Sequence, residues 1–207
     1  DAMEILPRLG DRPAVLYGHS LGALVVALLA AQLPERVRAV VLEDPPSPDF
    51  LEKLGQSAYY STFEAMRRAA GHAGASTSIV ARQLAESIIH QPDGSTARLG
   101  DLRDPVSLRF SAACLREVDP AVYEPLLAGR WLDGIDWWER LASIRCPVLL
   151  LHGDVYAGGM LPAEDAVRLA DCLPDLTRMH LTGAGHVLHW QHTGTIANHL
   201  LAFLDSL

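Results

Sequence analysis

The chain has 207 residues, 49% of them apolar, a formal net charge of −8 and a slightly positive mean hydropathy. That is enough apolar sequence to bury one good-sized domain, or a core plus a lid, and too much for a disordered chain. No basic block interrupts the acidic balance, which excludes a nucleic-acid surface, and the longest apolar stretch, residues 21–33, is too short to span a bilayer.

Met3–Leu9 reads as the end of a short helix. Pro13–Tyr17 is a short apolar run of the kind that forms a buried strand, and Ala23–Leu33 is an alanine- and leucine-rich helix stopped by Pro34. Between them stands Gly18-His19-Ser20-Leu21-Gly22, a G-x-S-x-G pentapeptide in a strand-to-helix context. A turn this sharp holds its central residue in a strained conformation, and the two glycines are expected to remove side chains that would clash. Ser20 is thereby lifted out of the sheet beside a helix N-terminus, where backbone N–H groups can meet a developing oxyanion. Val37–Leu42 is a second buried strand ending in Glu43-Asp44-Pro45-Pro46, so the unit reads as βαβ with parallel pairing.

From Pro46 to Leu141 the β-branched runs disappear. Helical stretches such as Ser61–Ala70 and Thr77–Ile89 alternate with breakers at Gly71, Gly74, Pro92-Asp93-Gly94, Asp104-Pro105 and Asp119-Pro120. Trp131, Trp137 and Trp138 stand near the end of this insertion, where they either staple it to the rest of the chain or line an apolar pocket. Strand character returns at Cys146–Asp154, followed by a helix at Pro162–Leu173, a strand at Thr177–Leu181, the loop Gly183-Ala184-Gly185-His186 and a closing helix at Thr195–Leu207. The reading is therefore an α/β fold with core segments 1–45 and 142–207 and a helical insertion over 46–141. Three cysteines, Cys114, Cys146 and Cys172, show no paired spacing and are expected as free thiols in a reducing cytoplasm.

A serine hydroxyl is a poor nucleophile at neutral pH and needs a base, usually histidine, which in turn needs an orienting carboxylate. Among nine histidines, His186 is the best placed, on a glycine-flanked loop just after the last strand, at the edge of the sheet where ligands bind in open α/β folds. His19 is expected to shape the turn around Ser20 and is also a candidate for the substrate pocket, with Trp131, Trp137 and Trp138. His152 is expected to pack at a strand end or to line a pocket. The spacing of His186, His189 and His192 suggests a metal site only if the segment is helical, and no carboxylate accompanies it, so no metal is expected.

Gly18-His19-Ser20-Leu21-Gly22, the strand Pro147–Asp154, Gly183-Ala184-Gly185-His186 and the final helix with Phe203-Leu204 together resemble the α/β-hydrolase superfamily, in its capped, serine-nucleophile branch. The resemblance implies a mainly parallel sheet with a helical cap over 46–141, Ser20 as nucleophile, His186 as general base and the Leu21 backbone N–H as oxyanion donor. It implies a second donor on a loop after an early strand. The family carries several strands ahead of the nucleophile strand, and none is read in residues 1–12, so a fragment, or a chain that begins inside a longer protein, is expected. Family members usually carry their acid in a position that is Tyr156 here, and a phenol cannot hold an imidazolium as a carboxylate does. Another branch takes the acid from the end of the strand after the nucleophile helix, which makes Asp44 the first choice, with Glu43 and Asp154 as alternatives. Epoxide hydrolases and dehalogenases resemble the chain but have aspartate where Ser20 stands.

The expected activity is cofactor-free hydrolysis of an ester, lactone, thioester or related acyl bond in a small, largely apolar substrate, with C–C hydrolysis and lyase steps as relatives of the same chemistry. The alternatives are a non-catalytic hydrolase-like protein that binds a ligand or partner, and a piece that works with a complementing N-terminal segment. No nucleic-acid or membrane partner is expected, and a homo-oligomer is compatible with the sequence.

Overall fold

A computed structural model describes residues 2–207. The chain divides into two compact units, one running up to Phe50 and resuming at Gly134–Leu207, the other spanning Leu51–Asp133. Six strands are present among the described residues: β1 (Ala14–His19), β2 (Val37–Glu43), β3 (Ile88–His90), β4 (Thr96–Arg98), β5 (Val148–His152) and β6 (Leu176–His180).

In the first unit β1, β2, β5 and β6 form one sheet in that order, every pair parallel. The register aligns His19 with Glu43, Glu43 with Leu151, and His152 with His180, so the strands all end along one edge. β2 is buried at every position except Arg38, and β5 at every position, because sheet strands covered on both faces carry continuous apolar runs. Ala39, Val41, Leu149 and Leu151 share a cluster with Leu188, Ile196 and Phe203, so the C-terminal helix Thr193–Ser206 seals one face. The helix Leu21–Gln32 packs on β1 and β2 and starts directly after Ser20, two residues ahead of the start read from composition. The helix Ala163–Cys172 joins β5 to β6. This is the α/β class read from the sequence, and no described helix is long and apolar enough to cross a membrane.

The second unit closes on Ala69, Val80, Leu84, Leu108, Ala112 and Leu115, contributed by the helices Tyr59–Ala69, Thr77–Glu86 and Pro105–Leu115. Ser76 and Asp104 cap the last two by accepting backbone N–H bonds of their first turns. It is not wholly helical. The helix expected to reach Ile89 stops at Glu86, and Ile88–His90 pairs antiparallel with β4. Gly94, at φ +83°, and Asp93, which accepts the Ser95 N–H, close that hairpin; three-residue strands are too short to show an alternating pattern. The unit ends before 141 because Trp137–Ala142, capped by Asp136, packs on the Leu21–Gln32 helix with Trp137 and Leu141 buried.

Candidate active site

Ser20 joins the end of β1 to the helix Leu21–Gln32 with φ +57° and ψ −130°, a left-handed conformation rarely adopted by a non-glycine residue. Its N–H donates to the Glu43 carbonyl at 2.9 Å, and its own carbonyl accepts the Ala23 N–H, which pins both sides of the turn. Only one of the two glycines is required by space. A Cβ on Gly18 would lie 2.3 Å from the Gly22 carbonyl oxygen, whereas a Cβ on Gly22 would meet nothing within 4 Å. The expectation that both glycines relieve a clash is corrected to Gly18 alone. Leu21 is the first residue of the helix, and such N–H groups have no acceptor within the helix.

Asp44 follows β2 and is also strained, at φ +41°, with its N–H donating to the Leu151 carbonyl. The side chain is fully buried. Its Oδ2 accepts from His186 Nδ1 at 2.7 Å and from the Met160 backbone N–H at 2.8 Å. Because the carboxylate accepts, the proton sits on His186 Nδ1 and the lone pair on Nε2. Met160 also places its Sδ 3.8 Å from the Ser20 hydroxyl, so Ser20, Met160, Asp44 and His186 form one neighbourhood. Met160 has no marker in the sequence beyond the preceding Gly158-Gly159 pair.

Glu43 turns to a different set of partners. Its carboxylate accepts from the Tyr17 hydroxyl and, at 2.9 Å, from both the backbone N–H and Nδ1 of His189. Burial pushes the Glu43 carboxyl up, but the bonds from Tyr17 and His189 outweigh it and hold the group below its ordinary range. The Tyr17 hydroxyl is pushed well up, by burial first and then by its bond to Glu43. His19 stands between the two histidines of the C-terminal loop. Its Nε2 donates to the His186 carbonyl at 2.9 Å, its ring lies 4.4 Å from that of His186, and the His189 ring meets it edge-on at 5.0 Å. Burial, then the neighbouring His186, lowers its pKa. His189 was legible only as a histidine three residues past His186; the carboxylate missing from that reading comes from β2.

Asp154 is turned away from His186. Its oxygens accept from His180 Nε2 at 2.7 Å and from the Gly183 N–H at 2.6 Å, and the Gly183 bond is the main cause holding its carboxyl below the usual range. Tyr156 is 75% exposed. His152 is buried, with its ring stacked on His180; Arg178 Nε donates to its Nε2, so Nδ1 carries the proton and donates to the Gly153 carbonyl. Burial, then the Arg178 charge, pushes its pKa down to about 4. These residues line a cavity of about 440 Å³ with Leu161, Pro162 and Glu164. The three tryptophans do not act as one set: Trp137 is core, Trp138 carries the Arg168 guanidinium 3.9 Å over its ring, and Trp131 belongs to the other unit. His192 precedes the last helix and joins neither carboxylate, so the His186, His189 and His192 spacing is split apart.

A sequence model of the alpha/beta hydrolase fold matches residues 2–193. The chain is 30% identical over 196 residues to a pimeloyl-(acyl-carrier protein) methyl ester esterase of Aromatoleum aromaticum, covering 91% of this chain and 72% of that one. It is similar in fold to the naproxen esterase of Bacillus subtilis, with TM-score 0.61 and 20% identity over 98% of this chain and 63% of the other. It is likewise similar to the N-formylmaleamic acid deformylase of Pseudomonas putida, with TM-score 0.65 and 16% identity over 96% of this chain and 69% of the other. A parallel sheet that delivers a strained serine and a histidine–carboxylate pair to one edge, together with a family match over almost the whole chain, means that this protein belongs to the alpha/beta hydrolase fold family.

Proposed function

We propose that the protein is a serine hydrolase that cleaves an ester, thioester or related acyl bond of a small, largely apolar substrate. The observation that carries the proposal is the 2.7 Å bond between His186 Nδ1 and the buried Asp44 carboxylate, beside a serine strained at φ +57°. Ser20 Oγ attacks the acyl carbon while His186 Nε2 takes its proton. The oxyanion of the tetrahedral intermediate is met by the Leu21 N–H. Asp44 holds the imidazole tautomer and offsets the charge His186 acquires. The imidazolium returns the proton to the departing alcohol or thiol, and water attacks the acyl-enzyme by the same route in reverse. The similarity to a methyl ester esterase and to the naproxen esterase supports an ester substrate. Three free cysteines support a reducing cytoplasm.

The test is hydrolysis of p-nitrophenyl acetate and butyrate by the wild type and by Ser20→Ala. A burst or steady turnover that Ser20→Ala abolishes is the expected result. Turnover that survives Ser20→Ala in a folded protein would sink the assignment.

A further inference from the structure

His19, Glu43 and His189 bring two imidazole nitrogens and a carboxylate oxygen within 4.8 Å of one another, from the end of β1, the end of β2 and the short helix Leu188–Gln191. Glu43 and Asp44 are adjacent carboxylates, both fully buried, and among the described residues their ion-pair partners are histidines rather than lysine or arginine. Buried carboxylates are generally paired with a cation or bound to a metal. Two imidazoles and one carboxylate are the ligand set of zinc sites that keep one coordination position open. Glu43 is also braced as metal-binding carboxylates are, by the Tyr17 hydroxyl and the His189 backbone N–H. The His189 side chain is 34% exposed, which gives an ion a way in.

We infer that one ring nitrogen of His19, the Glu43 carboxylate and His189 Nδ1 form a zinc site adjoining Ser20, His186 and Asp44, and that filling it switches the hydrolase off. Zinc–nitrogen bonds of about 2.0–2.1 Å in a tetrahedral site set the donors about 3.4 Å apart, so His189 Nδ1, 2.9 Å from the Glu43 oxygens, eases apart to admit the ion while the donors, now within 4.8 Å of one another, adjust by small rotations. Each ring carries its proton on the nitrogen that faces away from the metal. Turning the His19 ring toward the ion disturbs its hydrogen bond to the His186 carbonyl and its 4.4 Å contact with the His186 ring, which moves the base. Binding rests on this geometry alone; the switch rests on the serine-hydrolase reading.

The experiment is a calorimetric titration of the chelator-stripped chain with zinc chloride, made on Ser20→Ala so that turnover plays no part, with the metal content of the dialysed protein measured in parallel. One zinc per chain is expected, weakened about tenfold or more by His189→Gln and by Glu43→Gln. Glutamine at 189 still offers Glu43 an N–H, which protects the fold, and circular dichroism checks both variants. No zinc uptake, or equal affinity in a folded His189→Gln, overturns the site. In the wild type, loss of ester hydrolysis at the zinc concentrations that fill the site, reversed by EDTA, supports the switch. Full activity with zinc bound overturns the switch. If hydrolysis proves independent of Ser20, the functional reading and the switch both fall, while the titration still decides the site.

Discussion

The Asp44→Asn substitution keeps the shape of the side chain and removes its charge. Asp44 Oδ2 accepts two bonds, from His186 Nδ1 at 2.7 Å and from the Met160 N–H at 2.8 Å, and an amide oxygen in the same place accepts both. The amide nitrogen then occupies the position of Oδ1, a buried atom without a hydrogen-bond partner among the described residues. Buried N–H groups without an acceptor cost about 1–3 kcal/mol, so the variant is expected to be moderately less stable and is assayed under conditions where urea unfolding shows it folded. The larger effect is on catalysis. Opposite charges about 4 Å apart at the sheet edge attract by about 4 kcal/mol at an effective dielectric of 20, and in the proposed mechanism that attraction arises only once His186 has taken the serine proton. Its loss raises the barrier by the same amount, which is about a thousandfold in kcat/KM. The assay is p-nitrophenyl butyrate hydrolysis with Ser20→Ala as the floor, alongside urea unfolding of each variant. Asp154→Asn, on the His180 side of the loop, should stay within about threefold of wild type. The reasoning is refuted if Asp44→Asn keeps wild-type kcat/KM while folded, or if Asp154→Asn causes the large loss instead.

Other consequences can be measured directly. Ser20→Gly should abolish turnover yet resist urea better than Ser20→Ala by about 1 kcal/mol, since glycine relieves a backbone strain of about 1–3 kcal/mol at φ +57° that alanine retains. Gly18→Ala should cost about 2 kcal/mol or more, because its Cβ would sit 2.3 Å from the Gly22 carbonyl oxygen, whereas Gly22→Ala should leave the unfolding midpoint nearly unchanged. For His152 the folded pKa of about 4 lies below the ordinary value of 6.5, so the unfolded chain binds the proton more readily. Its contribution is complete above pH 6.5 and is lost as pH falls toward 4, about 1–2 kcal/mol after allowance for solvent screening. Unfolding free energies of wild type and His152→Gln measured across that window should converge at low pH; parallel curves would count against the assignment.

The alternation and length of apolar runs are local properties, and they were enough to read β1, β2, β5, β6 and the helices between them from the chain. The pentapeptide around Ser20 was legible for the same reason, since its chemistry depends on a turn made by neighbours in sequence. The β3–β4 hairpin was not, because a three-residue strand has too little pattern to compete with the helical signal ahead of it. The choice among Asp44, Glu43 and Asp154 was open for a different reason. Adjacent residues at a strand end point to different sides, and β-pairing decides which side faces the loop that carries the histidines. With His19 registered against Glu43, Glu43 falls to Tyr17 and His189, while the left-handed turn at Asp44 sends the next carboxylate to His186. The sequence by itself determined the fold class, the strained serine and a histidine on the last loop. Only the tertiary structure decided which carboxylate each histidine meets, because those partners are separated by more than a hundred residues and are brought together by the order of strands in the sheet.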